Sequence, residues 1–60
     1  MDSATLIRIL HRNGWYEVRS RGSHITFKHP TKPKLCTVPH PAKDLPIGIV
    51  KQILRNAELD

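Results

Sequence analysis

Cysteine is almost missing from this sequence. The single residue, Cys36, rules out a disulfide within the chain, and a lone thiol fits a reducing compartment. Long apolar runs are missing too. No stretch approaches the ~18 apolar residues needed to span a bilayer, and no signal-peptide pattern opens the chain. These absences predict a cytoplasmic protein without a membrane segment. The most telling absence is of acid: residues 18 to 43 contain no aspartate or glutamate.

That acid-free window holds Arg19, Arg21, Lys28, Lys32, Lys34 and Lys43, together with His24, His29 and His40. The formal net charge is +5, and the excess sits in the window, because the rest of the chain is close to neutral. Such a footprint favours a polyanionic partner, nucleic acid above all. Four histidines and a cysteine invite a metal reading, but the spacing opposes it. There is no Cys-x-x-Cys and no His-x₃-His, and the histidines fall on different elements. Neither a metal nor any other cofactor is therefore expected. Cys36 lies in an expected buried strand without an evident base, which argues against a nucleophilic role.

Sixty residues predict one domain, 1–60, with a small core, since a chain of this size buries roughly 60% of its unfolded surface. Ser3 is the expected N-cap of a helix over 4–11, with Leu6, Ile7 and Leu10 along one side and Gly14 as its stop. Residues 15–19 read as a first strand and 20–23 as a turn, with Gly22 free to take positive φ. Residues 24–29 read as a second strand. Its alternation places Ile25 and Phe27 on one face and His24, Thr26 and Lys28 on the other.

A third strand is expected over 34–38, with Cys36 and Val38 inward, and Pro39-His40-Pro41 is expected to leave the ladder as a stiff loop. Asp44 is the expected N-cap of a last helix carrying the stripe Ile49, Val50, Ile53, Leu54 and Ala57. Gly48 within that helix suggests close approach to the sheet. The order helix, three strands, helix predicts an α+β domain. Its three-stranded antiparallel sheet is covered by both helices on one face and left open on the other.

The apolar pair Ile25 and Phe27 must face the core, so His24 faces outward. A positioned imidazole among cations suits chemistry on a phosphodiester. Arg19, Arg21 and Lys28 are the candidate phosphate contacts. Gly22 serves the turn, and Ser23 either orients His24 or touches phosphate. His29 reads as a turn residue, and His40, in its loop, as a possible second proton-transfer group.

The chain resembles the HicA-type mRNA interferase toxins of toxin–antitoxin systems. The residues that carry the resemblance are Asn13-Gly14-Trp15, Arg19-Ser20-Arg21-Gly22-Ser23-His24, Thr37-Val38-Pro39-His40, and Gly48 opening the run to Ile53-Leu54-Arg55-Asn56-Ala57. The resemblance implies an α-β-β-β-α fold like that of double-stranded-RNA-binding domains. It also implies endoribonuclease activity on mRNA with His24 as the catalytic histidine, and inhibition by a HicB-type antitoxin. Such a toxin is expected to be monomeric when free and hetero-oligomeric with its antitoxin. Two positions depart from the family pattern: Ile49, where a small polar residue is common, and Glu58, where a glycine often closes the last helix.

In such an enzyme, His24 would remove the proton of a ribose 2′-hydroxyl without help from a metal, and nearby cations would stabilise the developing charge. The cleavage rate would fall as the imidazole gains a proton. The rival reading is a non-catalytic RNA-binding module of the same fold, since duplex RNA is held mainly through phosphates and 2′-hydroxyls. A third reading is an interaction domain whose basic face meets an acidic protein.

Overall fold

A computed structural model describes residues 1–59. The chain forms α1 (Ser3–Arg12), β1 (Tyr16–Arg21), β2 (His24–Lys28), β3 (Cys36–Pro39) and α2 (Ile47–Asn56). The strands form an antiparallel meander in the order β1-β2-β3, as the hairpin-length turns predict.

α1 begins one residue earlier than expected. Asp2, not Ser3, is the N-cap, and its carboxylate accepts the Thr5 N–H at 2.8 Å. That bond satisfies one of the donors a helix start leaves unpaired, and it holds the Asp2 carboxyl below the ordinary aspartate range. Ser3 is thereby released for another task and is buried. At the far end of α1, Gly14 takes φ +90, and a Cβ there would lie 2.8 Å from His29 Nε2. Both the backbone and the neighbouring ring therefore require glycine.

The strand limits differ from those read in the sequence. Trp15 is not in β1. It is buried ahead of the strand, and its backbone N–H donates to the Leu10 carbonyl at 3.0 Å. Arg21 belongs to β1, so the reversal is only Gly22-Ser23, with Gly22 at φ +57. β3 starts at Cys36 rather than Lys34 and includes Pro39, opposite His24. Proline is tolerated there because β3 is an edge strand. The next ladder bond runs from the His40 N–H to the Ser23 carbonyl at 2.7 Å, which leaves the proline nitrogen facing away from β2.

Asp44 does not cap α2. Pro46 holds the N-cap position without a side-chain bond, and Asp44 instead pairs with the N-terminal ammonium at 3.3 Å. Val50, Ile53 and Ala57 are buried, whereas Ile49 is partly exposed beside β3. Gly48 makes no close approach to the sheet, since a Cβ built on it meets nothing within 4 Å. At the C-terminus of α2, Glu58 takes φ 60. Its N–H donates to the Arg55 carbonyl at 3.0 Å, and the Leu59 N–H donates to the Leu54 carbonyl at 2.8 Å. This pair of bonds closes the helix through a left-handed residue, the conformation for which glycine is preferred. Lys32 Nζ adds a bond to the Ala57 carbonyl at 3.0 Å, placing a cation at the negative end of the helix.

Phe27, Cys36 and Val38 from the sheet join Leu6 and Leu10 of α1 and Val50 and Ile53 of α2 in one core. Each of the larger buried side chains contributes roughly 1.5–3 kcal/mol. Because these sheet residues share one face, both helices lie on that face and the other stays open.

Candidate functional site on the open sheet face

The strand register determines what stands on the open face. Arg21, His24 and Pro39 form one cross-strand row, and Arg19, Thr26 and Thr37 form the next. Tyr16 and Lys28 form the last. Directly paired residues hold their Cβ atoms about 5 Å apart, and diagonal ones about 7–8 Å. Arg21 is therefore the immediate neighbour of His24 and Arg19 the diagonal one. Lys28 shares the face but stands at the other end of β2, roughly 13 Å along the strand. It is not part of the cluster around the imidazole.

His24 is exposed, and among the described residues its ring has no hydrogen-bond or ion-pair partner. Arg19, Arg21 and Lys28 have no ion-pair partner among the described residues either. Glu17 is the strand acid nearest to them, but it pairs with Phe27 and so belongs to the opposite face. Among the described residues, the face thus carries three cations and an unengaged imidazole with no carboxylate. Gly22 and Ser23 form the turn leading into His24. A Cβ at Gly22 would meet open space, so its positive φ alone accounts for glycine.

The other window residues have different tasks. His29 Nε2 lies 2.9 Å from the Asn13 carbonyl, and its Nδ1 accepts the Thr31 N–H at 3.1 Å. A nitrogen that accepts from a backbone N–H carries no proton, so Nε2 is the donor. The His29 ring also meets the Trp15 ring edge-on, with centroids 5.3 Å apart. It is a strut between α1 and the end of β2. Lys32 is occupied at the end of α2. Burial pushes the Cys36 thiol up, and its Sγ lies 3.8 Å from the Ile53 carbonyl, which leaves it inert as a nucleophile.

His40 is also engaged. Its Nδ1 lies 2.7 Å from Ser3 Oγ, which accepts the Ala42 N–H at 2.9 Å, while the Ser3 N–H donates to the Ala42 carbonyl at 2.9 Å. This clamp draws the His40 ring to the start of α1, on the helix side of the sheet. Through its backbone bond to Ser23, the same residue anchors the turn before His24. His40 therefore supports the turn rather than sharing the face with His24. The role of Ser3 in this clamp was missed from sequence. Its one signal there is that Asp2 and Ser3 are consecutive cap-forming residues, of which a helix start uses one. Among the described residues, no three His, Cys, Asp or Glu side chains gather in a group able to hold a metal ion. No described helix is long and apolar enough to cross a membrane.

Together these features define a small α-β-β-β-α protein with one unengaged histidine on a cationic, open sheet face. The model of a family described as the HicA toxin of bacterial toxin–antitoxin matches residues 3–59. A solved structure described as a HicA3 and HicB3 toxin–antitoxin complex is similar over the whole fold. It shows 31% sequence identity and a TM-score of 0.89, covering 100% of this chain and 97% of the matched chain. No curated protein matches the sequence. The chain belongs to the HicA family of toxins.

Proposed function

We propose that this toxin is an endoribonuclease that cleaves mRNA in the cytoplasm, with His24 as the general base and no metal in the chemical step. The observation that carries this reading is the exposed, unengaged imidazole of His24 beside Arg21 and Arg19, on a face without a carboxylate among the described residues. RNA brings its own nucleophile. His24 takes the 2′-hydroxyl proton, and the 2′-oxygen attacks the adjacent phosphorus. The bond to the 5′-oxygen breaks, and that oxygen takes up a proton from water. The products are a 2′,3′-cyclic phosphate and a 5′-hydroxyl. A positioned general base supplies roughly 10²–10⁴ in rate. Arg21 and Arg19 offset the charge that accumulates on the phosphoryl oxygens. Gly22 and Ser23 carry the turn that aims the ring, and Lys28 holds RNA farther along the strand.

Family membership and the likeness to a toxin solved with HicB3 support a HicB-type antitoxin as the partner of this chain. The toxin would be monomeric when free and bound to the antitoxin in a hetero-oligomer. The test is incubation of total RNA with the native chain in EDTA, beside His24→Ala. Cleavage by the native chain alone, leaving cyclic-phosphate ends, is the expected result. Binding by both proteins without cleavage would make this a non-catalytic RNA-binding module.

A further inference from the structure

The open face contains more than cations. Tyr16, Val18 and Leu35 are 45%, 46% and 51% exposed, a high degree of exposure for apolar side chains in a 60-residue domain. They lie on the His24 face. Tyr16 is paired with Lys28, and the register shifts between Glu17 and Arg19. That bulge gives Val18 no partner of its own, and it lines a depression together with Arg19. Leu35 precedes β3 with the same parity as Thr37. The depression has a volume of about 510 Å³ and is lined by Val18, Arg19, Thr26, Lys28, Leu35 and Thr37. Its floor is the Thr26–Thr37 pair, whose hydroxyls lie 3.4 Å apart.

We infer that this depression, together with Tyr16 paired to its lining residue Lys28, is a subsite for an unstacked base of single-stranded RNA, next to the nucleotide held at His24. The inference rests on the nuclease reading for what lies at His24. Charge selects the class of ligand: Arg19, Arg21 and Lys28 edge the face, and Glu17 is on the other side. The exposed Tyr16, Val18 and Leu35 select the strandedness. A-form duplex presents phosphates and 2′-hydroxyls across its minor groove and gains nothing from Tyr16, Val18 or Leu35. A single strand offers base faces for an aromatic ring and apolar side chains, and phosphates for flanking cations. The face therefore has two ends: the row at Arg21 and His24 carries the reaction, and the row at Tyr16 and Lys28 holds the adjoining nucleotide.

The test uses the His24→Ala chain, so that RNA stays intact, and reads fluorescence anisotropy with three labelled probes. These are a ten-nucleotide mixed-sequence RNA, the same RNA annealed to its complement, and the single strand with abasic sites. The single strand should bind more tightly than the other two. Adding Tyr16→Ala or Leu35→Ala should weaken single-strand binding about tenfold while leaving duplex binding and Tm unchanged. Two results would overturn the inference: either variant keeping single-strand affinity within twofold, or the duplex binding as tightly as the single strand. It would also fail if the two variants lost only binding to an acidic protein partner. The two readings fail separately. A native chain that does not cut RNA, with the binding pattern intact, removes the nuclease and leaves the subsite. Cleavage that depends on His24, with Tyr16→Ala neutral, does the reverse.

Discussion

A histidine stands at each end of β2, and the two are used in opposite ways. His29 follows the strand with both ring nitrogens bonded, to the Asn13 carbonyl and the Thr31 N–H, and its ring against Trp15. His24 opens the strand exposed, with neither nitrogen engaged among the described residues. A ring with both nitrogens committed is a structural brace and cannot take a proton without losing a bond. A ring with both free can exchange one. His40 shows that position in the basic window does not decide the matter, because its Nδ1 is tied to Ser3.

Removing the free ring should have the largest effect. His24→Ala should lower RNA cleavage by about 10²–10⁴-fold and leave Tm nearly unchanged, since no bond of the fold is lost. A variant that retains native cleavage, or loses it only by unfolding, would erase the distinction between the two histidines.

The opposite outcome is expected at the other end of β2. Gly14→Ala combines a positive φ with a Cβ 2.8 Å from the His29 ring, and should cost about 2–3 kcal/mol of stability. His29→Ala should cost about 1.5 kcal/mol through the lost hydrogen bonds while the folded fraction still cleaves RNA. Denaturant melts and cleavage assays on the same preparations separate the two effects. Normal stability in His29→Ala, with cleavage abolished, would move the chemistry to the wrong end of the strand.

The contrast also bears on what the sequence reveals. The direction of His24 follows from Ile25 and Phe27, because alternation along a strand is local and one face must be buried. The apolar stripe of α2 is legible for the same reason. The engaged state of His29 and His40 is not, since their distant partners, Asn13 and Ser3, are decided by how the chain returns on itself. The helix caps failed similarly. Asp2, Ser3 and Asp44 can all cap by type, and only the arrival of Ala42 beside Ser3, and of the N-terminus beside Asp44, assigns the jobs. The bulge at Val18 leaves no mark in sequence because it exists only in the pairing of β1 with β2.

A smaller effect tests the clamp that anchors the turn before His24. The Asp2 carboxyl is lowered chiefly by its bond from Thr5. A lowered folded value means that the cap stabilises fully above the unfolded aspartate range, about pH 4, and that this contribution is lost as pH falls through the folded value. Asp2→Ala should therefore reduce Tm by a few degrees near neutrality, and the gap should narrow in acid. Ser3→Ala removes the bond to His40 instead, and its deficit should not follow the Asp2 titration. Parallel pH profiles for the two variants would mean that cap and clamp are one unit.

The smallest effect concerns Gly48, where the sequence suggested a packing reason and the structure shows open space. A glycine in the first turn of α2 that nothing crowds has only its conformational cost, so Gly48→Ala should stabilise by about 0.5 kcal/mol, a rise of roughly 2–4 °C in Tm for a domain of this size. Cleavage should be unaffected, because α2 lies on the far side of the sheet from His24. Increased stability with unchanged cleavage confines the functional demand to the open face. Increased stability with weakened antitoxin binding would instead mean that the space over Gly48, beside the exposed Ile47 and Ile49, is kept clear for the partner, and the helix side of the sheet would then carry a recognition role of its own.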